Sequence, residues 1–127
     1  MSTIKANTLL HSDGSTTTQP SIPALDKRMA KAWVCINQTA TQAIRGDAFG
    51  ISSITDIGVG KTTVNFETAM ADVNYAAVAT AGGSAHHAAV AKWNAVPTTT
   101  SFDVGVYRRY QSVYYDDNEL SVIVFGN

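Results

Sequence analysis

What this chain lacks sets its first bounds. It has one cysteine, Cys35, so no disulfide can close within it. Cys35 stands in an apolar, strand-like run, where a buried and inert thiol is expected. Only 15% of the residues are charged and the formal net charge is -1, so no bulk field draws in nucleic acid or an anionic membrane. The basic clusters are short (Lys27, Arg28 and Lys31; Arg108 and Arg109) and read as solvated or paired faces, not as a nucleic-acid footprint. No apolar run approaches the roughly 20 residues that span a bilayer. No charged start leads into an apolar core, as a signal peptide would. Binding to nucleic acid and insertion into a membrane are therefore not expected.

Sequence motifs for chemistry are equally thin. Gly58-Val59-Gly60-Lys61-Thr62 imitates the end of a phosphate-binding loop, but the pattern needs a glycine where Thr55 stands. A β-favouring run follows instead of a helix, so a hairpin turn is the expectation. Asp116-Asp117-Asn118-Glu119 lacks the spacing of a calcium loop, and adjacent carboxylates cannot flank a glycosidic bond; it reads as a turn between strands. No G-x-S-x-G element supports a hydrolase. His86 and His87 are adjacent, with His11 far away in sequence, short of the three or four ligands of a metal site. The chain is expected not to be an enzyme, and no catalytic, cofactor-binding or metal residue is assigned.

What is present is β-pattern. Hydrophobic residues make up 45% of the chain, a globular level. Candidate strands are Ala32–Asn37, Ile51–Asp56, Thr62–Glu67, Asn74–Ala81, Ala88–Asn94, Ser101–Tyr110 and Glu119–Phe125, with Gln42–Ala48 weaker. Short strands bounded by Gly, Asn, Asp and Thr turns predict an all-β fold, an antiparallel β-sandwich or jelly roll, over 32–127. Residues 1–31 are different: Ser- and Thr-rich, with too few large apolar side chains for a core. They are expected to form an extended arm, with Ile4, Leu9, Leu10 and Ile22 as its anchoring contacts on a neighbouring subunit or larger assembly. A short helix over Ser21–Lys31, with Pro23 in its first turn, would link arm to domain.

The last strand poses a question. Leu120, Val122 and Val124 share one face and Ile123 and Phe125 the other. A strand apolar on both faces must be covered on both, by its own fold or by another copy of the chain. A further segment gathers Tyr107, Tyr110, Tyr114 and Tyr115 around two arginines, a composition enriched at interfaces. With His86 and His87 on the preceding Gly82–His87 loop, these tyrosines are the expected exposed contacts, including to a glycan, since aromatic rings stack on sugars.

The order of several blocks resembles a known group. Ser2-Thr3-Ile4-Lys5-Ala6-Asn7-Thr8-Leu9 is similar to the start of many bacteriophage tail-fibre and related virion proteins. Ala30-Lys31-Ala32-Trp33-Val34, Ala43-Ile44-Arg45, Ile51-Ser52-Ser53-Ile54-Thr55-Asp56, Thr63-Val64-Asn65-Phe66, Met70-Ala71-Asp72-Val73-Asn74-Tyr75 and the terminal Ser121-Val122-Ile123-Val124-Phe125-Gly126-Asn127 resemble a domain of such proteins. The resemblance implies a homotrimeric, β-rich structural protein of the virion, with no catalytic residues to carry over. The expected trimer interface falls on Val122, Val124 and Phe125. Two readings follow from it, a short tail fibre or receptor-binding protein that contacts a host glycan or receptor and a capsid decoration protein that stabilises the head; a third, of a different class, is a carbohydrate-binding module. In the first two, the arm joins other virion proteins. The near-direct join of arm to domain suits a stubby fibre or a decorating trimer better than a long shaft.

Overall fold

Eight strands form two four-stranded antiparallel sheets in the computed structural model, which describes residues 3, 5–8, 10, 12–14, 27–92 and 96–126. They are β1 (Ala32–Asn37), β2 (Ala43–Phe49), β3 (Ile51–Gly58), β4 (Lys61–Phe66), β5 (Ala76–Ala81), β6 (His87–Ala91), β7 (Ser101–Arg108) and β8 (Leu120–Phe125). The first sheet has the order β2-β1-β8-β5 and the second β3-β4-β7-β6. Two antiparallel sheets of four strands are consistent with the expected β-sandwich. Each expected strand is present, with ends moved by local chemistry. Strand β6 stops at Ala91 because Lys92 takes a positive φ of 56° and turns the chain. Strand β5 starts late because the Asp72 carboxylate accepts the Asn74 N–H at 2.6 Å, closing a turn ahead of it.

No helix occurs among the described residues. The expected Ser21–Lys31 helix falls partly on 21–26, outside them, and 27–28 form a turn. The Lys31 N–H already donates to the Val124 carbonyl at 2.8 Å, which draws this backbone onto β8 rather than into a helical ladder. Of the expected anchoring residues, Ile4, Leu9 and Ile22 lie outside the described residues, and Leu10 is exposed.

Period-two alternation decides what the sandwich buries. Ala32, Val34 and Ile36 of β1 and Leu120, Val122 and Val124 of β8 face Val64 and Phe66 of β4 and Phe102, Val104 and Val106 of β7 in one core. At one end of the sandwich Phe66, Tyr75 and Phe102 pack together, the first two edge to face at 5.2 Å between ring centres. Burial pushes the Tyr75 hydroxyl up to about 12, and it donates to the Thr98 carbonyl at 3.0 Å.

This alternation corrects the expected interface. Val122 and Val124 are fully buried against the chain's own second sheet, so neither can meet another copy. Phe125 and Ile123 point the other way and are exposed. The terminal strand is thus covered by its own fold on one face and left open on the other.

The Gly58–Lys61 segment is the tight turn of the β3–β4 hairpin, so the phosphate-loop likeness has no helix behind it. Gly60 has φ +66°, and a Cβ there would stand 2.5 Å from the Tyr115 nitrogen and 2.7 Å from the Val106 carbonyl oxygen. Both are backbone atoms fixed by neighbouring bonds: Gly60 itself accepts the Val106 N–H at 2.7 Å. Gly60→Ala is therefore expected to lower unfolding free energy by at least about 2 kcal/mol in urea titration. Gly46→Ala, at a similar φ of +69° but where a Cβ meets nothing within 4 Å, should cost distinctly less.

Candidate functional site

Four connections gather at the end of the sandwich away from Tyr75: β1–β2, β3–β4, β5–β6 and β7–β8. Their centre is Asp117, 1% exposed. Its Oδ1 accepts the N–H of Glu119 at 2.7 Å and of Gly83 at 2.9 Å, and its Oδ2 accepts His87 Nδ1 at 2.6 Å. Its own N–H donates to Gln38 Oε1 at 3.2 Å, and its carbonyl accepts the Gln38 N–H at 2.8 Å. Gln38 Nε2 then donates to Thr62 Oγ1 at 2.9 Å, and that hydroxyl donates to Gln42 Oε1 at 2.6 Å. One polar network thus joins both sheets across the core.

The electrostatics follow from this geometry. Burial alone pushes the Asp117 carboxyl up, but the hydrogen bonds from His87, Glu119 and Gly83 and the charge of His87 outweigh it and hold the carboxyl below its ordinary value. The result is a structural clasp. His87 and Asp117 have the orientation of a base and its orienting carboxylate, but no serine or cysteine hydrogen-bonds to the ring among the described residues. Nor do three or more His, Cys, Asp or Glu side chains converge there as a metal site would require.

Two expectations change here. His87, expected as an exposed contact, has a side chain only 8% exposed, because Asp117 and the Tyr115 ring at 5.4 Å enclose it. The acidic run, expected as a turn, is folded inward at Asp117, while Asp116 accepts the Gly60 N–H at 2.6 Å. The Gly82-Gly83 pair explains how the loops approach so closely: a Cβ on Gly83 would lie 2.6 Å from Asp117 Oδ1. Gln38 and Asp117 carried no sequence signal as partners, since 79 residues separate them.

The remaining expected contacts lie on the outside of this same end. Tyr110 is 80% exposed and Tyr115 and His86 are also exposed, whereas Tyr107 and Tyr114 are half-buried and paired by a β-bridge. The Lys61 ammonium sits 4.3 Å from the centre of the Tyr114 ring, and the Arg108 guanidinium 4.6 Å from that of Tyr115.

A second candidate surface is the outer face of the first sheet. Phe49, Trp33, Ile123 and Val78 stand in register across β2, β1, β8 and β5, forming one uncharged row over the whole sheet. Trp33, Ile123 and Val78 are exposed, as is Phe125 beside them. The outer face of the second sheet is different: Thr63, Asn65, Ser53, Thr55 and Asp103 occupy it, with Thr63 bonded to Asp103 at 2.6 Å. One sheet is built to face water and the other carries an apolar row of the kind that marks a protein contact. Comparison of the chain with family models, curated proteins and solved structures finds no match in any of the three.

Proposed function

We propose that this chain is a structural protein of a bacteriophage virion: a short tail fibre or receptor-binding protein, anchored by its N-terminal arm and assembled as a homotrimer. The observation that carries the reading is the polarity of the sandwich. The chain enters beside Val124, through the Lys31 bond to β8, at the Tyr75 end. The exposed tyrosines and His86 lie beyond Leu120 at the other end, about 17 Å away along β8 at the rise of a strand. An arm that attaches at one end and loops that meet a target at the other suit a module standing out from a particle. The open apolar face of the first sheet, parallel to that axis, is the surface through which three copies would associate.

Capsid decoration is the second reading, favoured by one feature: the turn at Lys27–Arg28 precedes β1 by only a few residues, which sets the preceding segment close to the domain. The two differ in stoichiometry. Quantitative gel analysis of purified virions is expected to find the protein in a small complement at the tail. An amount matching the major capsid protein would select decoration, and absence from the particle would overturn both.

A further inference from the structure

We infer that the cleft lined by His86, Arg108, Tyr110 and Gln111 is a subsite for one acidic sugar residue, a hexose ring bearing a carboxylate. The inference names the ligand class for the contact surface in the proposed receptor-binding reading and rests on that reading.

The cleft has a volume of about 170 Å³, the scale of a single sugar ring rather than a chain of them. Its walls are two aromatic rings, His86 and Tyr110, with centres 6.0 Å apart and planes at 63°. They form a corner in which the apolar face of a pyranose can rest while its hydroxyls stay in water. Tyr110 is the most exposed aromatic side chain among the described residues, which is what a stacking platform requires.

Charge then selects among sugars. Among the described residues no carboxylate lines the cleft. The nearby acids are engaged elsewhere: Asp117 with His87, and Asp116 with Gly60. Arg108 brings a permanent positive charge and is held in place twice. Its guanidinium lies over Tyr115, and Nη1 donates to Gln111 Oε1 at 3.3 Å. That contact uses a single nitrogen of a group with five N–H donors, and a carboxylate is the ligand that matches two of them side by side.

The cleft is also fixed in shape. The Arg109 N–H donates to the His86 carbonyl at 3.0 Å, tying the β5–β6 loop to the turn after β7. The Arg108 N–H donates to the Val113 carbonyl at 2.9 Å, and Ser112 at φ +50° closes the turn. His86 and Tyr110 come from two connections but share one rigid frame, so little ordering is lost on binding.

The test is NMR titration of the full chain with methyl glucuronide, methyl glucoside and acetate. The glucuronide is expected to shift the His86 and Tyr110 resonances at least roughly tenfold more tightly than either of the others, the worth of one charge-assisted pair added to the ring contact. Arg108→Gln should remove the preference for the acid and leave weak ring binding. Tyr110→Ala, at a largely exposed side chain whose ring neighbour is His86, should weaken both sugars without altering the spectrum beyond that loop. Equal binding of the two glycosides, acetate as effective as the glucuronide, or no shift at His86 and Tyr110 would each overturn the inference. Virion stoichiometry is measured separately. A virion-borne protein with no sugar response would sink the subsite alone, and a sugar-binding protein absent from virions would sink the proposed function alone.

Discussion

Asp117→Ala is expected to be the most damaging single substitution at the loop end, lowering unfolding free energy by about 3–5 kcal/mol. Three donors lose their acceptor at once: His87 Nδ1 and the backbone N–H groups of Gly83 and Glu119. The nearly buried His87 ring cannot turn to water without opening the loops, and the Gly83 and Glu119 N–H groups lose a part-buried acceptor. Asp117→Asn keeps the shape but offers one oxygen where two accept, so about half that loss is expected. Urea unfolding gives both values. A double cycle with His87→Ala should then recover a coupling of about 1 kcal/mol or more, because the two side chains meet directly. Losses under about 1 kcal/mol for Asp117→Ala would mean the network adds nothing beyond packing.

The same residue sets an acid limit. Its folded-state carboxyl sits below the ordinary value, so the unfolded chain binds a proton at a higher pH than the folded one. The stabilisation is therefore complete above the unfolded value, ~3.9, and is lost as pH falls through the folded one. Asp117→Asn should flatten the fall in stability below about pH 4 relative to the parent chain.

These residues also mark how far the sequence was legible. All eight strands were readable, because two-residue alternation and turn residues are local signals. The inward set on β8 was readable too: Leu120, Val122 and Val124 share a face whatever the sheet does. Which face the molecule itself covers was not readable, since both are apolar. Only the partner sheet decides it: it covers Val122 and Val124, two of the three residues expected at the trimer interface, and leaves Phe125 open. His87 was misread for the same reason. Its neighbour Ser84 and the glycines spell a solvated loop, and its acceptor Asp117 lies 30 residues away in a run that spells another. Two polar loops that satisfy each other resemble two exposed loops until the topology brings them together. Tyr110 and Arg108 could be singled out because composition alone gathers them in one segment. The cleft they form with His86 depends on the Arg109–His86 backbone bond, a contact between connections.

If the proposed trimer forms through the first sheet, Ile123→Lys is expected to convert it to a monomer while leaving the sandwich folded. Ile123 is at the centre of the apolar row, in register with Trp33 on one side and Val78 on the other. Within one chain its side chain points outward, so the change should cost the fold no more than about 1 kcal/mol. Within an assembly each copy would bury an unpaired ammonium among apolar side chains, and copies around a threefold axis would bring like charges together. Each buried charge costs several kcal/mol, more than such a row can offset. Light scattering at micromolar concentration should show the parent chain at three times its 13.5 kDa and the variant at 13.5 kDa. The unfolding midpoint should depend on concentration for the parent and not for the variant. Val90→Lys is the matched control: Val90 is exposed on β6 of the second sheet, opposite Gly105, and the same change there should leave the oligomer intact. A monomeric parent would refute association through the first sheet, and so would an Ile123→Lys variant that remains trimeric. Dissociation by Val90→Lys alone would move the contact to the other side of the sandwich, and the open face of β8 would then need a different occupant.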